Sequence, residues 1–249
     1  MNARFLSNPF MLAAAAIIAA AAAIAAGQGG TGGTLVGHVT LTTAPPPNRT
    51  IPMGADLKCL EINAGKRVEQ ETVLRDADGG LRNVFVSVQG AFPQAPPAPA
   101  EPVTIDQQGC VYKPRIQGAR VGQTLLVRND DDTLHNIHSL STRGNAFNTG
   151  QPKAGLVFKI PLKSEEVMLH VRCDVHPWMT GYIGVVSHPY FAVSGAGGAF
   201  TIANVPPGRY TVQAWHERYG ATTRDVEVKP GAATTVDFAY SGEEPAPSK

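Results

Sequence analysis

The stretch CDVHPWM, from Cys173 to Met179, is the most informative part of this chain. It places a thiolate, an imidazole and a thioether at three-residue intervals, directly after the strand-like run VMLHVRC. These donors suit both oxidation states of copper, and a trigonal site of one Cys and two His with a distant axial Met is used for one-electron transfer. The stretch therefore predicts three copper ligands: Cys173, His176 and Met179.

A second imidazole is expected upstream, in the segment LHNIHS. His135 follows the strand-like run VGQTLLVRN and directly precedes Asn136. His138 lies three positions later and need not face the same way, so only one of the two histidines is expected to bind. We choose His135 as the ligand and expect His138 to be packed or hydrogen-bonded, as most histidines are.

These residues resemble one family, the cupredoxins (type 1 or blue copper proteins), and most closely its amicyanin and plastocyanin branch. The copper loop of amicyanin reads Cys, two residues, His, Pro, an aromatic residue and Met, and CDVHPWM is similar at each of these positions. The segment from Val103 to Ser139 is also similar in layout to the strands that lead to the family's first His ligand. The resemblance covers about residues 103–188.

The resemblance implies one type 1 copper ion and a Greek-key β-sandwich. Its thiolate would come from Cys173, its imidazoles from His135 and His176, and its axial thioether from Met179. Asn136 would tie the two ligand loops together through side-chain hydrogen bonds. Two departures from the family, Leu134 in place of Pro and Asp174 beside the thiolate, remove no ligand but leave the reduction potential open.

The resemblance also implies a docking surface. In the family, the ring edge of the ligand that corresponds to His176 reaches the surface, where an apolar patch accepts a transient redox partner protein. Pro177 and Trp178 would build that patch here. The alternative is that Trp178 packs between two β-modules, because Trp is often half-buried.

Three cysteines allow at most one disulfide. In an oxidising compartment Cys59 and Cys110 would pair, which leaves Cys173 as a thiolate that the metal protects. A disulfide at Cys173 would exclude the copper site.

The first thirty residues indicate export. Arg4 precedes an uncharged run rich in Ala and Ile, and small residues that suit a signal peptidase follow it. We therefore expect a signal peptide at 1–26, a Gly-rich linker at 27–33 and a periplasmic or otherwise extracytoplasmic protein. An uncleaved N-terminal anchor is the alternative and would be the only membrane association.

Composition favours an all-β fold. The 249 residues are 43% hydrophobic, and 26 Gly and 20 Pro separate short apolar runs, as in chains of many short strands. The formal net charge of +1 provides no field that would recruit nucleic acid.

The flanks of the copper segment predict a second β-module. GTLVGHVTLTT alternates like a strand, and ETVLRD and LRNVFVSVQG are interpreted as strands joined by the turn ADGG. After the copper segment, Gly-Gly, Pro-Pro-Gly and Pro-Gly turns separate further strands, and the pattern resembles the carboxypeptidase regulatory-like (transthyretin-like) sandwich. About fifty residues are few for such a module, so strands from the N-terminal part are expected to complete it.

The predicted fold class is therefore all-β: a Greek-key cupredoxin sandwich plus a transthyretin-like sandwich built from the chain ends. The expected organisation is a signal peptide at 1–26, a linker at 27–33, an N-terminal β segment at 34–100, the copper domain at 101–188, the regulatory-like module at 189–241 and a disordered tail at 242–249.

The function predicted first is an exported, non-enzymatic electron carrier. The alternative is an envelope scaffold or copper-buffering protein without electron transfer. A multicopper enzyme is disfavoured, because seven histidines without a His-x-His pair are few for a second copper site. Zinc would fit the same donors, but an axial thioether adds nothing to zinc chemistry. A metal site at His188 and His216 is the minority interpretation, and residues 130–132 are expected to form a solvated loop.

Overall fold

The fold is known from a computed structural model that describes residues 31–245. The predicted signal peptide, residues 27–30 of the linker and residues 246–249 of the tail lie outside the described residues. The described part is built almost entirely from strands, which are β1 (Gly33–Leu41), β2 (Phe85–Val88), β3 (Val103–Gln107), β4 (Tyr112–Lys113), β5 (Ile116–Arg120), β6 (Thr124–Asn129), β7 (His135–Ser139), β8 (Asn148–Gln151), β9 (Leu156–Pro161), β10 (Glu166–Arg172), β11 (Thr180–Val186), β12 (Phe191–Val193), β13 (Ala199–Val205), β14 (Gly208–His216), β15 (Gly220–Val228), β16 (Ala233–Thr235) and β17 (Phe238–Tyr240). One short helix, α1 (Leu57–Ile62), and two 3₁₀ turns complete it.

Strands β3 to β11 form a first sandwich of two sheets. One sheet has the order β5-β11-β10-β7-β8 and the other the order β4-β3-β6-β9. Burial alternates along β6, as expected for a strand with one face on a core. The inward-facing side chains of the two sheets share one apolar core, which includes Ile105, Leu125, Ile137 and Ile183.

The second sandwich combines β1 and β2, which precede the first sandwich in the sequence, with β12 to β17, which follow it. One sheet has the order β12-β2-β14-β15, and in the other β1 pairs with β13, β16 and β17. Leu35, Val39, Val212 and Phe238 lie in its core. Gly37 of β1 admits no side chain, because a Cβ there would lie 1.9 Å from the carbonyl oxygen of Val236. These sheets confirm the predicted all-β class and the second sandwich built from the chain ends.

The two sandwiches pack directly against each other. Gly118 of β5 and Gly184 of β11 leave room for aromatic rings of the second sandwich, since a Cβ at these positions would lie 2.1 Å from Phe191 and 2.3 Å from Phe85. A largely buried ion pair between Arg115 and Glu217 joins the sandwiches nearby. The position of the first sandwich relative to the second is therefore fixed by close packing.

The segment between β1 and β2 departs from the expected β segment. Only a bridge between Arg75 and Leu81 forms where ETVLRD was interpreted as a strand, and β2 is just four residues long. Instead, helix α1 and the 3₁₀ turn before it lie on the first sandwich, where Met53 and Cys59 join its core. The helix begins at Asp56, whose side chain accepts hydrogen bonds from the backbone of Lys58 and Cys59. We call residues 53–62 the cap segment.

Within residues 31–245, none of the helical segments has the length and apolar character needed to cross a lipid bilayer.

Candidate metal centre

The loop between β10 and β11 holds Cys173 in a fixed position. These strands pair antiparallel up to Arg172 and Thr180, so residues 173–179 form the connection between them. The backbone N–H of Cys173 donates to Met179 at 3.0 Å, and that of Met179 donates to His176 at 2.9 Å. The loop is thus closed on itself, and its one thiol is buried and free of any disulfide.

Strand β7 brings His135 to this loop. Strand β7 pairs with β10, and His138 of β7 lies opposite Arg172 at the end of β10. His135, the first residue of β7, therefore lies beside the loop that follows β10. One donor atom each from His135, Cys173 and His176 lies within 4.8 Å of the other two, and all three residues are buried. The Nδ1 atoms of the two imidazoles are 3.0 Å apart, and the Sγ atom of Cys173 is 3.8 Å from Nδ1 of His176.

Met179 is fully buried in the core of the first sandwich and belongs to the same loop. Its backbone hydrogen bonds to Cys173 and His176 hold it next to both residues. Its role as an axial ligand stays a prediction.

Each candidate imidazole has a carboxylate at its far nitrogen. Nε2 of His135 lies 3.0 Å from Oδ2 of Asp131, and Nε2 of His176 lies 3.1 Å from Oδ2 of Asp56. Such a carboxylate orients a metal-binding imidazole and raises its basicity. If each ring donates its Nε2 proton to the carboxylate, both Nδ1 atoms carry lone pairs that face each other. That arrangement is repulsive unless a proton or a cation lies between them, so the donor set fits a metal ion.

The same contacts favour the thiolate form of Cys173. Burial raises the pKa of the thiol, but hydrogen bonds from His135, His176 and the backbone N–H groups of Asn136 and His176 outweigh it and lower the pKa to about 6. For His135, burial lowers the pKa, whereas Asp131 and Cys173 raise it, and the net direction is upward. The contacts of the centre therefore favour a thiolate at Cys173 and a protonated imidazole at His135.

Asn136 lies between the two ligand loops. Its Oδ1 accepts a hydrogen bond from the backbone of Asp174 at 2.6 Å, and its Nδ2 donates to Asn148 and to the carboxylate of Asp174. These contacts join the loop that carries Cys173 to strand β7. His138 instead contacts the Asp174 carboxylate at 3.0 Å on the partly exposed side of β7, away from the donor cluster.

The structure contradicts the predicted docking patch around His176. The imidazole is only 1% exposed, and Trp178 is only 6% exposed, although Pro177 lies at the surface. Trp178 donates its indole N–H to the carbonyl of Cys110 at 2.9 Å, and its ring packs beside that of His176. The cap segment covers the ring edge that the family leaves exposed, so Trp178 packs inside the protein rather than forming a surface patch.

Cys59 and Cys110 form a disulfide that attaches the cap segment to the first sandwich. Sγ of Cys59 is 3.6 Å from Nε2 of His176. On the other side of the bond, the backbone N–H of Cys110 donates to Asp131 at 2.7 Å. The disulfide therefore joins two segments. One carries Asp56, which contacts His176, and the other donates to Asp131, which contacts His135.

Sequence reasoning missed both aspartates. Asp131 is the middle residue of the run expected to be solvated, yet it is 4% exposed, because three donors converge on it. Asp56 carries only the sequence signal of a helix N-cap, which does not relate it to a histidine. His188 and His216, the minority interpretation of a second metal site, belong to no group of three donor residues among residues 31–245.

Comparisons with known proteins found a family match and several similar solved structures. Residues 185–241 match the family model of the carboxypeptidase regulatory-like domain. A search of curated proteins found no match.

Among solved structures, the purple cupredoxin of Nitrosopumilus maritimus is 26% identical, over 33% of this chain and 98% of its own, with a TM-score of 0.29. The M98A mutant of amicyanin with Cu(I) is 19% identical, over 40% of this chain and 97% of its own, with a TM-score of 0.30. The copper-containing nitrite reductase of Thermus scotoductus SA-01 is 23% identical, over 39% of this chain and 25% of its own, with a TM-score of 0.30. The metal assignment below therefore depends on the donor geometry of this chain.

Proposed function

We propose that this protein binds one copper ion at His135, Cys173, His176 and Met179 and carries single electrons between redox partners. The observation that carries the proposal is the buried cluster of two imidazole nitrogens and one free thiol within 4.8 Å of one another. Copper bound by such donors supplies one-electron chemistry.

The residues of the chain supply what an electron carrier needs. The 173–179 loop and β7 hold the donors through backbone hydrogen bonds and through Asn136, so the donor positions need not change when the charge of the centre changes. Burial of His135, Cys173 and Met179 excludes water from the centre. The environment of such a centre controls its reduction potential.

The proposal extends to location and partners. The disulfide of Cys59 and Cys110 suits an oxidising compartment outside the cytoplasm, as expected of an exported protein. The proposed carrier turns over no substrate of its own. The partner would be another redox protein that binds weakly and transiently, as small redox interfaces do. The burial of His176 means that such a partner would contact another part of the surface, or the cap segment itself.

A second candidate function is copper buffering or scaffolding in the cell envelope. The observation that favours it is the second sandwich, whose residues 185–241 match a regulatory-like domain model. It differs from the first in one measurable respect, because a buffer needs no reversible redox couple.

The test is a visible absorption spectrum of the copper-loaded, oxidised protein. We expect an intense thiolate-to-copper band that Cys173→Ala abolishes. His138→Gln is the matched control, since His138 is the neighbouring histidine outside the cluster, and it should leave the band intact. Absence of the band in the unmodified protein would contradict the proposal.

Cyclic voltammetry separates electron transfer from buffering. A reversible one-electron couple that requires Cys173 supports the carrier. Stoichiometric copper without a reversible couple would support buffering, and no bound copper would support a scaffold.

A further inference from the structure

The cap segment makes a contact that reaches the metal centre from far away in the sequence. Asp56 lies 120 positions before His176, and its Oδ2 is 3.1 Å from Nε2 of that imidazole. The other oxygen of the same carboxylate, Oδ1, accepts the backbone N–H groups of Lys58 at 2.8 Å and Cys59 at 3.0 Å. One side chain therefore begins helix α1 and holds the candidate ligand at the same time.

Two further contacts keep this carboxylate in place. Cys59, three residues after Asp56, is bonded to Cys110 of the first sandwich. Asn63, at the end of α1, donates to the carbonyl of Gly109 at 3.1 Å. The short helix is thus attached, at Cys59 and at its C-terminal end, to the loop that also supplies the backbone donors to Asp131.

The carboxylate lies against the backbone N–H groups of Lys58 and Cys59 and against Nε2 of His176. Such N–H donors pair best with a negatively charged carboxylate. A negative charge beside the far nitrogen orients the ring with Nδ1 toward the donor cluster and makes that nitrogen more basic. It also favours the more positive of two metal oxidation states, because opposite charges attract.

The geometry points to Asp56 as a positioning residue for copper, held by the disulfide-anchored cap segment. It fixes the His176 ring for metal binding, takes the place of solvent at the ring edge and lowers the reduction potential. This inference rests on the proposed copper function and assigns a role to residues outside the cupredoxin-like segment.

Asp56→Asn is the sharpest variant, because asparagine is as good an N-cap as aspartate, so helix α1 should persist. The substitution removes the negative charge. It also places a side-chain NH₂ group where Oδ2 lies, so that this group would face the N–H of His176 instead of accepting from it. Glu61→Gln is the matched control, since it removes the same charge from the same helix at an exposed side chain that pairs only with Lys58.

The first readout needs no copper. In the metal-free protein, nitrogen-15 NMR should show His176 protonated at Nε2, with a hydrogen-bonded proton signal that Glu61→Gln retains and Asp56→Asn shifts or loses. An identical His176 signal in all three proteins would overturn the inference.

The second readout uses the copper-loaded proteins. Asp56→Asn should weaken copper binding by about tenfold or more, the usual effect of removing such an outer partner, and should shift the reduction potential upward more than Glu61→Gln does. Equal shifts in the two variants, with unchanged affinity, would contradict a positioning role. Failure of the proposed function is distinguishable, because the unmodified protein would then lack the thiolate-to-copper band whatever the variants do.

Discussion

At the scale of single residues, the centre is a buried cluster of one thiol and two imidazoles. Two imidazoles face each other through Nδ1 at 3.0 Å, and the thiol beside them accepts two backbone N–H groups. Hydrogen bonds that favour an anion lower the pKa of the group that accepts them. The chemistry of the centre therefore follows from Cys173 being a thiolate near neutral pH.

We predict that the thiol of Cys173 in the metal-free protein titrates with a pKa of about 6. Because this lies below the value of 9.0 for a free thiol, the thiolate contributes stability that is present above about pH 9 and is lost as pH falls through about 6. Ultraviolet absorbance of the thiolate against pH measures the titration, and Cys173→Ala gives the baseline. A midpoint near 9 would show that the hydrogen bonds do not act as described.

The candidate ligands that lie close together in the sequence could be predicted from it. Three of the four candidate ligands lie within CDVHPWM, and His135 is marked by the preceding strand and by Asn136. Asp131 was hidden in a run of three aspartates, and only burial distinguishes it from its neighbours. Asp56 could not be found, because nothing in a local pattern relates it to a histidine 120 positions away.

At the scale of elements, the cap segment is the feature that separates this chain from the layout the sequence suggested. The sequence predicts a β segment at 34–100 with a strand at ETVLRD, but α1 and irregular backbone occupy much of the region between β1 and β2. Strand periodicity is weak evidence where a disulfide and one capping side chain decide the local structure. By contrast, the alternating run at β1 and the turn-bounded runs at β14 and β15 are recognisable as strands.

We predict that the double variant Cys59→Ala, Cys110→Ala lowers the free energy of unfolding by about 4 kcal/mol, from the loop entropy of a crosslink across 51 positions. Denaturant unfolding of the metal-free protein measures it. A reductant should destabilise the unmodified protein to the same extent and leave the double variant unaffected. If the reductant changes neither protein, the disulfide does not anchor the cap segment.

At the scale of the whole molecule, the two sandwiches form a continuous packed body. In the second sandwich, the ring of Phe191 lies over Gly118 of the first sandwich, and the ring of Phe85 lies over Gly184. Phe85 is almost completely buried there. Sequence patterns identified both sandwiches, but two glycines within strands gave no indication that a neighbouring module packs against them.

We predict that Gly118→Ala destabilises the protein by about 1–3 kcal/mol, the usual cost of overpacking, because its Cβ would lie 2.1 Å from the ring of Phe191. Gly150→Ala is the control, since a Cβ there meets nothing within 4 Å. Thermal or denaturant unfolding compares the two. Equal stabilities would mean that the sandwiches are not in close contact.

If folding brings one sulfur and two imidazoles to a single copper ion, X-ray absorption at the copper edge of the protein loaded with one equivalent of copper will detect them. We expect a first shell of one thiolate sulfur and two imidazole nitrogens, with the sulfur absent in Cys173→Ala. A shell of oxygen and nitrogen atoms alone, unchanged by that substitution, would contradict it.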